Sequence, residues 1–485
     1  MNSVVVVGTG PAGWASVLTL IENGIKPLVL DIAGQTTDSL NRSLPSDIKG
    51  SGMVKKSFNG STSMYEYPLD EKISFENLDS IPLSSELGGL STVWGSNIQS
   101  LQEGQEIAWG KDSADVNQSI KEILKHIPHS GRKDSLEGIS KWPLDFPDQT
   151  PNSPRINRIL KRSEKVGTNG KWTIGQARNA TAGSNSGCVL CGKCLTGCPE
   201  RVIFSTSRFF EEWILQGKID FKRFFVQKIT QSQNQWELHG LDPATNIEQS
   251  LRADKVILAT GSIATSVLLR NSNFIPQVSE LSDTQVFYFP LFSFRDSPKN
   301  CSEYALAQIF VSSKDSVLEK SAFHYSLYEN SETIKSRVSS IYPKLSKLIP
   351  GIIFKQILSG IGFIHSSVSG KIEIRQVNDH ISVQGIVSDK SRKAVWRTFF
   401  TTFWSLVKIG LLPIPIFVTP SVGSSYHVGV LCSGNSKVLT DGKLENITNL
   451  FCVDGSALPI LPTGPTTLLI MGNSRRITKK MLGSS

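Results

Sequence analysis

The chain opens with a strand, a glycine-rich turn, a helix and a second strand that ends in an acidic residue, and this order constrains its fold more than any other feature. An apolar run from Val4 leads into the turn G-T-G-P-A-G, and Asp31 closes the next apolar run about 20 residues later. Gly8 permits the tight turn, Gly10 lets the backbone approach a pyrophosphate, and Gly13 lets the helix pack against the strand. The pattern predicts a Rossmann-like domain that binds FAD or NAD, with a ligand-free glycine turn as the alternative.

A second glycine-rich stretch, E-L-G-G-L-S-T-V-W-G-S-N at 86–97, surrounds one aromatic residue with small ones. Its glycines carry no Cβ atom, so the backbone can lie flat against a ring system. The stretch suits a flavin, although an ordinary loop has the same composition.

These two stretches together resemble the glucose-methanol-choline (GMC) family of FAD oxidoreductases, in its pyranose-oxidase-like and cholesterol-oxidase-like branches. The G-G-x-S-x-x-W loop of that family matches residues 88–94, and two later stretches, at 256–272 and 426–477, resemble its other flavin-binding segments. The resemblance implies an α/β fold in which a Rossmann-like FAD-binding domain joins an antiparallel-sheet substrate domain, as in the p-hydroxybenzoate-hydroxylase-like architecture.

The resemblance also implies how the flavin is held. Some relatives tether FAD through a histidine just before the loop tryptophan, where this chain has Val93, so the flavin is expected to be noncovalent. A helix that begins after Pro465 would direct its N-terminus at the flavin C2 carbonyl and stabilise the anionic reduced form. The implied cofactor-binding residues are Gly8, Gly10, Gly13, Asp31, Gly88, Gly89, Ser91, Trp94, Asn97, Val226, Ala259, Gly261, Asp454, Gly455, Pro465 and Thr466.

The family resemblance assigns one catalytic residue. Family enzymes pass a hydride from a C–OH carbon to flavin N5 while a histidine takes the hydroxyl proton, and His427 stands at that position. Imidazole titrates near neutral pH, which suits a base within hydrogen-bond reach of the substrate. The usual second residue, an Asn or His before a proline, is replaced by Gly464, so another group is expected to assist, with His324, Tyr325 and His365 as candidates.

Four cysteines, Cys188, Cys191, Cys194 and Cys198, follow the C-x2-C-x2-C-x3-C-P spacing of bacterial ferredoxins. The spacing predicts a [4Fe-4S] cluster, with zinc or a metal-free thiol loop beside the flavin as alternatives. In two-cluster ferredoxins the fourth cysteine of such a run ligates the other cluster, so a distant thiol such as Cys301 could replace Cys198. Similar insertions occur in cholesterol-oxidase-like members and in relatives that resemble surface-polysaccharide enzymes.

The middle of the chain changes to short alternating apolar runs such as V-F-Y-F-P-L-F-S-F and A-F-H-Y-S-L-Y, which predict an antiparallel sheet. In the family this sheet forms the wall of the substrate pocket, so alternate residues of 287–294 are expected to face the ligand. We therefore predict an FAD-binding domain over 1–273 with a Cys-rich insertion at 183–200, a substrate domain over 274–419, and a return to the FAD-binding domain over 420–485.

Residues 390–417 combine Trp396, Phe400 and Trp404 with several lysines and arginines, which is typical of an amphipathic helix at a membrane surface, although buried helices with charged ends look similar. The net charge of +9 favours anionic membranes mildly, and no nucleic-acid motif accompanies it. The first residues of the sequence do not show the pattern of a signal peptide, and the cysteines are not distributed as in disulfide-rich secreted domains. We expect a cytoplasmic location, with peripheral membrane contact through 390–417.

The sequence thus predicts an FAD-dependent alcohol oxidoreductase that acts on a sugar, a polyol or a lipid-linked glycan, with His427 as the base. One alternative is an iron–sulfur flavin dehydrogenase that passes electrons singly to a quinone or an acceptor protein such as ferredoxin, on a lipid or sterol substrate. The other is an FAD-binding assembly protein without catalysis, which the glycine at 464 motivates.

Overall fold

A computed structural model provides the architecture. It describes residues 3–33, 73–78, 83–92, 94–102, 104–166, 172–183, 185, 187–192, 194, 198–232, 235–296, 303–314, 321–329, 351–419, 422–423, 427–433, 436–437 and 439–483. Val93 and Cys301, on which two of the expectations above depend, lie outside these residues.

Nine α-helices lie within the described ranges, and none of them is long and apolar enough to cross a membrane. They are α1 (Pro11–Glu22), α2 (Glu106–Trp109), α3 (Ser113–Ile123), α4 (Pro154–Ser163), α5 (Thr206–Leu215), α6 (Ser262–Asn271), α7 (Gly351–Phe354), α8 (Ser391–Lys408) and α9 (Thr467–Gly483).

The strands form four sheets, whose order is described below. They are β1 (Val4–Val7), β2 (Leu28–Asp31), β3 (Ile73–Glu76), β4 (Trp172–Gln176), β5 (Asp220–Arg223), β6 (Phe225–Ser232), β7 (Gln235–Leu241), β8 (Glu248–Ala253), β9 (Lys255–Leu258), β10 (Val278–Asp283), β11 (Val286–Ser293), β12 (Ile309–Ser313), β13 (Phe323–Tyr328), β14 (Ile357–Ile364), β15 (Lys371–Val377), β16 (His380–Ile386), β17 (Leu411–Pro413), β18 (Val428–Ser433), β19 (Ser436–Lys437), β20 (Leu439–Thr440), β21 (Lys443–Leu444) and β22 (Leu450–Cys452).

The first sheet is the dinucleotide-type sheet, in the order β20-β21-β22-β9-β1-β2-β5. Its strands β22, β9, β1, β2 and β5 are parallel, and β1 is buried along its whole length. Continuous apolar runs such as V-V-V-V form strands of this kind because helices cover both faces of a parallel sheet.

Helices α1 and α9 pack closely above this sheet through small polar residues. The Ser16 hydroxyl lies 2.8 Å from the hydroxyls of both Ser474 and Thr478, and the Ser474 hydroxyl donates to the Ala12 carbonyl at 2.6 Å. The C-terminal helix therefore fixes the helix that carries the glycine-rich turn at its N-terminus.

The substrate-side sheet has the order β17-β11-β14-β13-β12-β4, and all of its pairings are antiparallel. One face packs against α4 and α8 in an apolar core, while the other faces a large cavity. Glycines at 360 and 362 pair with Phe289 and Phe287, whose rings occupy the space that a Cβ would need. A mixed sheet, β19-β18-β10-β15-β16-β3, and the three-stranded sheet β6-β7-β8 complete the fold.

A buried ion pair anchors α4 to this substrate-side sheet. The Arg155 guanidinium donates to the Glu329 carboxylate at 2.7 Å, and both side chains are fully buried. Ser153 caps the helix by accepting from the Ile156 amide, and its hydroxyl donates to the same carboxylate at 2.9 Å. These hydrogen bonds thus join the start of α4 to the residue that follows β13. The predicted domain boundaries at 273 and 419 stay a prediction.

Candidate active site

The glycine-rich turn between β1 and α1 has the backbone that a pyrophosphate site requires. Gly8 has φ +104°, and a Cβ there would lie 2.5 Å from the Ala259 carbonyl oxygen. A Cβ at Gly13 would lie 2.0 Å from the Gly8 carbonyl oxygen, whereas a Cβ at Gly10 would meet nothing within 4 Å. Packing therefore requires glycine at positions 8 and 13, and the space beside Gly10 is open to a ligand.

Asp31 lies at the end of β2, in the cavity, as its spacing from the turn predicts. Its carboxylate accepts hydrogen bonds from the Thr9 amide and hydroxyl at 2.8 and 2.6 Å and from the Ala33 amide at 2.9 Å. Burial raises the pKa of this carboxyl, and those hydrogen bonds oppose the rise. Asp31 therefore holds the turn in shape, and its predicted contact with a ribose stays a prediction.

The stretch around residues 88 and 89 lies directly against this turn. The Gly88 amide donates to the Thr9 hydroxyl at 2.8 Å, and Ser91 donates to the Gly88 carbonyl at 2.7 Å. Thr206, at the start of α5, donates to the Thr9 carbonyl at 2.8 Å, and its amide donates to the Ser91 hydroxyl. Two stretches that are far apart in sequence thus form one wall of the cavity.

Asp454 closes the opposite wall by joining two loops. Its carboxylate accepts from the Gly261 amide at 3.1 Å and from Thr265, and also from the amide and hydroxyl of Ser456 at 3.0 and 2.6 Å. Burial raises the pKa of this carboxyl. The residue holds the loop after β9 against the loop after β22, at the carboxyl ends of parallel strands where such sheets bind ligands.

These walls enclose a cavity of about 460 Å³ that reaches from the glycine-rich turn to the antiparallel sheet. Its size and mixed lining are typical of cofactor sites. Two of the predicted residues, Gly13 and Gly88, do not line the cavity but permit the close packing behind its wall. The other predicted residues line the cavity: Gly8, Gly10, Asp31, Gly89, Ser91, Trp94, Asn97, Val226, Ala259, Gly261, His427, Asp454, Gly455, Pro465 and Thr466.

His427 lies just before β18, at the end of the cavity remote from the glycine-rich turn, where the wall comes from the antiparallel sheet. Its ring stacks on Phe363 with centroids 4.8 Å apart and planes 17° apart. Burial lowers the pKa of His427 to about 4, because a charged imidazole would lose its hydration here. The ring is therefore neutral at pH 7, which is the form that can accept a proton.

A chain of hydrogen bonds lies on the facing strand β13. The Asn97 amide donates to the Ser326 hydroxyl at 3.2 Å, Ser326 lies 3.1 Å from Nε2 of His324, and Nδ1 of His324 lies 2.7 Å from the Ser312 hydroxyl. In the tautomer of His324 that carries its proton on Nδ1, Ser326 donates to His324, and His324 donates to Ser312. Burial lowers the pKa of His324 to about 3, with a further contribution from nearby His427.

The space next to Gly464 is filled by side chains from other elements. A Cβ at this position would lie 2.4 Å from Oε1 of Gln99 and 3.4 Å from Nδ1 of His324. Within the described residues, this Gln99 oxygen is buried without a hydrogen-bond partner. The volume of the absent family side chain is thus occupied by Gln99, beside His324.

Of the three auxiliary candidates, only His324 lies beside His427. Tyr325 points to the other face of β13, into the apolar core with Phe287 and Phe289. His365 is buried beside Ser367, 2.8 Å from its hydroxyl, and does not line the cavity. On β11 the cavity-lining residues are Val286, Tyr288, Phe289 and Pro290, so the alternation predicted for 287–294 is met at 288 and 290 only, and residues 291–294 do not line the cavity.

The four cysteines lie close together behind Trp94. Cys194, with Cys188 and Cys198, packs in a small apolar cluster against this tryptophan, whose Nε1 donates to the Phe204 carbonyl at 2.8 Å. Burial raises the pKa of Cys194 to about 12, which favours the thiol over the thiolate.

Among the described residues, no three His, Cys, Asp or Glu side chains are placed to hold a metal ion, and the cysteines form no disulfide. The thiols as they stand therefore do not fit a cluster, and neither the iron–sulfur nor the zinc prediction gains support. The arrangement instead resembles a thiol loop that supports the wall of the cavity through Trp94.

Sequence reasoning missed several residues of the site: Thr9, Thr206, Ser326, Tyr328, Phe363 and Gln99. Alternation in F-H-Y-S-L-Y could have placed Ser326 and Tyr328 on the same face as His324. Thr9, Thr206 and Gln99 carry no local signal, because their partners are distant in sequence.

Comparison with known proteins identifies the fold. No family model and no curated protein matches the sequence. Among solved structures, pyridoxine 4-oxidase from Mesorbium loti is similar over 99% of both chains, with a TM-score of 0.60 and 13% sequence identity. The likeness confirms the predicted fold class, a mixed α/β fold with parallel and antiparallel sheets, and at this identity it speaks for the fold alone.

Proposed function

We propose that this chain is an FAD-dependent oxidoreductase of the GMC family that oxidises a C–OH group. The observation that carries the proposal is one cavity that joins a dinucleotide-type turn at Gly10 to a neutral histidine, His427, which lines its wall. The similar solved structure is named as an oxidase, which supports the same class.

The residues present fit FAD. The open space beside Gly10 and the unpaired amides at the N-terminus of α1 suit the pyrophosphate. The α9 helix begins at Thr467, directly after the cavity-lining Pro465 and Thr466, so its dipole favours negative charge there. When bound, the flavin would supply a hydride acceptor, and the chain's own residues would orient the substrate and move its proton.

His427 is the proposed general base. Its neutral ring faces the cavity, and its stacking on Phe363 fixes the ring plane. A base in this position accepts the hydroxyl proton of the substrate as the C–H bond breaks, which is worth about 10²- to 10⁴-fold in rate.

The chain Asn97–Ser326–His324 is proposed to position the substrate oxygen in place of the missing residue at 464. Asn97 and Ser326 line the cavity, and Asn97 also donates to the Tyr328 hydroxyl at 3.2 Å. A hydrogen bond from the Ser326 hydroxyl to Nε2 of His324 would fix the direction in which that hydroxyl presents its lone pairs to the substrate.

A sugar, polyol or lipid-linked alcohol is the proposed substrate class. The polar groups of Asn97, Ser326 and Tyr328 can bind hydroxyl groups, while Tyr288 and Ile361 supply an apolar surface in the same cavity. A site built in this way favours substrates that carry both features.

A Gly10→Ala variant tests the cofactor proposal sharply. The added Cβ meets no protein atom within 4 Å, so folding is expected to be unchanged, while a pyrophosphate approaching there would be displaced. FAD affinity, measured by fluorescence titration of the apoprotein, is expected to fall at least about tenfold. Gly138→Ala is the matched control, since its Cβ also meets nothing within 4 Å and it lies outside the cavity. Equal affinities in the two variants would remove the proposed pyrophosphate site.

The iron–sulfur dehydrogenase is retained as a second candidate on the cysteine spacing alone. It requires the four thiols to rearrange around the metal, because the described positions do not fit one. Iron and acid-labile sulfide analysis of anaerobically purified protein decides the matter: about four of each per chain would establish the cluster. Flavin without iron would leave the cysteines as support for Trp94.

A further inference from the structure

Helix α8 presents an exposed stripe that combines aromatic and basic side chains. Its exposed residues recur every three or four positions, which places them on one face. Phe400 is 65% exposed and Trp404 is 70% exposed, although such large apolar side chains are usually buried. The stripe consists of Lys393, Arg397, Phe400, Trp404 and Lys408.

The exposed rings are held in place by the rest of the helix. The opposite face of α8, with Val395, Phe399 and Leu406, is buried in the core under the antiparallel sheet. The Phe400 ring stacks on Trp396 at 5.5 Å, and Trp404 packs edge-on against Phe403 at 5.2 Å. The stripe is therefore a fixed surface of the folded protein.

Neighbouring residues extend the apolar surface beyond the helix. Phe294, Leu412 and Ile416 are 45%, 40% and 39% exposed, and the Phe294 amide donates to the Gly410 carbonyl just after α8. Leu412 pairs with Phe292 of β11, so these side chains belong to the edge of the same sheet. Several large apolar side chains exposed in one region of the fold indicate an interaction site. We call α8 with these three residues the α8 face.

The charged residues of α8 are all basic, although an exposed acidic residue, Asp389, stands two residues before the helix. Residues 390–417 contain five basic residues, Lys390, Arg392, Lys393, Arg397 and Lys408, and no acidic one. The nearby carboxylate of Asp296 is buried and bound by Arg158 and Arg162, so it does not offset them. The complementary partner is therefore an anionic surface with an apolar layer beneath it.

We propose that the α8 face docks on an anionic lipid bilayer. Tryptophan and phenylalanine insert at the boundary between headgroups and acyl chains, and lysine and arginine bind the anionic headgroups around them. The aromatic side chains of the α8 face thus match the boundary between headgroups and acyl chains, and its basic side chains match the anionic headgroups.

One edge of the α8 face is connected to the cavity wall. The segment after β17 is bonded to β11: the Ile414 amide donates to the Pro290 carbonyl at 2.9 Å, and Tyr288 and Val418 exchange hydrogen bonds at 2.8 and 3.1 Å. Tyr288 and Pro290 line the cavity, so this segment pairs with a strand of the cavity wall, whereas α8 itself packs on the opposite face of that sheet. A lipid-linked alcohol is the substrate class that this connection favours, and that consequence rests on the proposed function.

Vesicle sedimentation tests the docking proposal. The full chain is expected to sediment with vesicles of phosphatidylcholine and phosphatidylglycerol, less with phosphatidylcholine alone, and less at high salt. A Phe400→Ser/Trp404→Ser variant is expected to bind the mixed vesicles at least about tenfold more weakly, because two inserted rings are lost. Leu215→Ser is the control, since Leu215 is 88% exposed on α5, outside the α8 face.

A charge-reversal pair separates headgroup attraction from insertion. Lys393→Glu/Lys408→Glu is expected to abolish the preference for phosphatidylglycerol, whereas Lys121→Glu/Lys218→Glu, which makes the same change in net charge elsewhere, is expected to retain it. Unchanged melting temperatures would show that the variants fold.

The proposal is overturned if the wild-type chain ignores anionic vesicles, or if the α8-face variants and their controls lose binding equally. It is also overturned if the protein is a dimer that Phe400→Ser/Trp404→Ser converts to a monomer, since the α8 face would then bind a second copy. No substrate or flavin enters these measurements, so their failure would leave the proposed enzymatic function standing.

Discussion

Gly464 shows at the scale of one residue how a missing side chain is accommodated. The position lies directly before the cavity-lining Pro465, and Gln99 Oε1 occupies the space of its absent Cβ. Among the described residues this buried carboxamide oxygen has no hydrogen-bond partner, which is a cost that the fold bears at this position.

A double-mutant cycle tests this arrangement. Gly464→Ala is expected to destabilise the protein by about 1 kcal/mol, because the methyl group would lie 2.4 Å from Gln99 Oε1 and this flexible side chain must move away. In a Gln99→Ala background the same substitution is expected to cost much less, which gives a coupling of at least about 0.5 kcal/mol in urea unfolding. Gly138→Ala serves as the uncoupled control, and additive effects at 464 and 99 would contradict the contact.

Two histidines with lowered pKa values, His324 and His427, predict how stability depends on pH. Burial lowers the pKa of His427 from 6.5 to about 4 and that of His324 to about 3, so between these values and 6.5 the unfolded chain binds more protons than the folded one. Stability therefore rises with pH over this range. Lowering the pH from about 7 to about 5 is expected to depress the thermal midpoint less in His427→Gln than in the wild type. An equal depression would mean that His427 is not buried in its neutral form.

At the scale of elements, local sequence patterns predicted several of the strands and helices. The strand–turn–helix order from Val4 to Asp31 and the alternation on β11 both have periods that the sequence displays directly. On β13 every residue is buried, so the sequence could not decide whether His324 or Tyr325 faces the cavity. The pairing of β13 with β12 and β14 makes that choice, and such register is set by distant residues.

The link between α4 and β13 gives a test at this scale. Glu329→Ala would leave the fully buried Arg155 guanidinium without its carboxylate, and the expected loss is about 3 to 5 kcal/mol of unfolding free energy. Glu373→Ala removes a more exposed ion pair with Arg375 and is expected to change stability by less than about 1 kcal/mol. Similar losses in the two variants, measured by denaturant unfolding, would show that Glu329 does not anchor the helix.

At the scale of the whole molecule, the cavity depends on parts that are far apart along the chain. The glycine-rich turn, the stretch at 83–97, the β9–α6 loop and the residues at 427–428, 454–455 and 465–467 meet at the cavity where the parallel and antiparallel sheets pack together. Most of the residues named from the family resemblance line the cavity, since each matched motif carries its own glycines or aromatic residue, and their contact with a cofactor stays a prediction. The hydrogen-bond chain on β13 and the filling of position 464 could not be predicted, because they arise from contacts between sheets.

Anaerobic reduction of the bound flavin tests the central claim most directly. The FAD-loaded protein is mixed without oxygen with a panel of sugars, polyols and lipid-linked alcohols, and the absorbance of oxidised flavin is followed. We expect at least one alcohol to bleach the flavin band, and His427→Ala to slow that bleaching by about 10²-fold or more while FAD stays bound. His380→Ala, a histidine outside the cavity, should bleach at the wild-type rate. A flavin that dithionite reduces but no alcohol does, or a His427→Ala variant as fast as the wild type, would contradict the account.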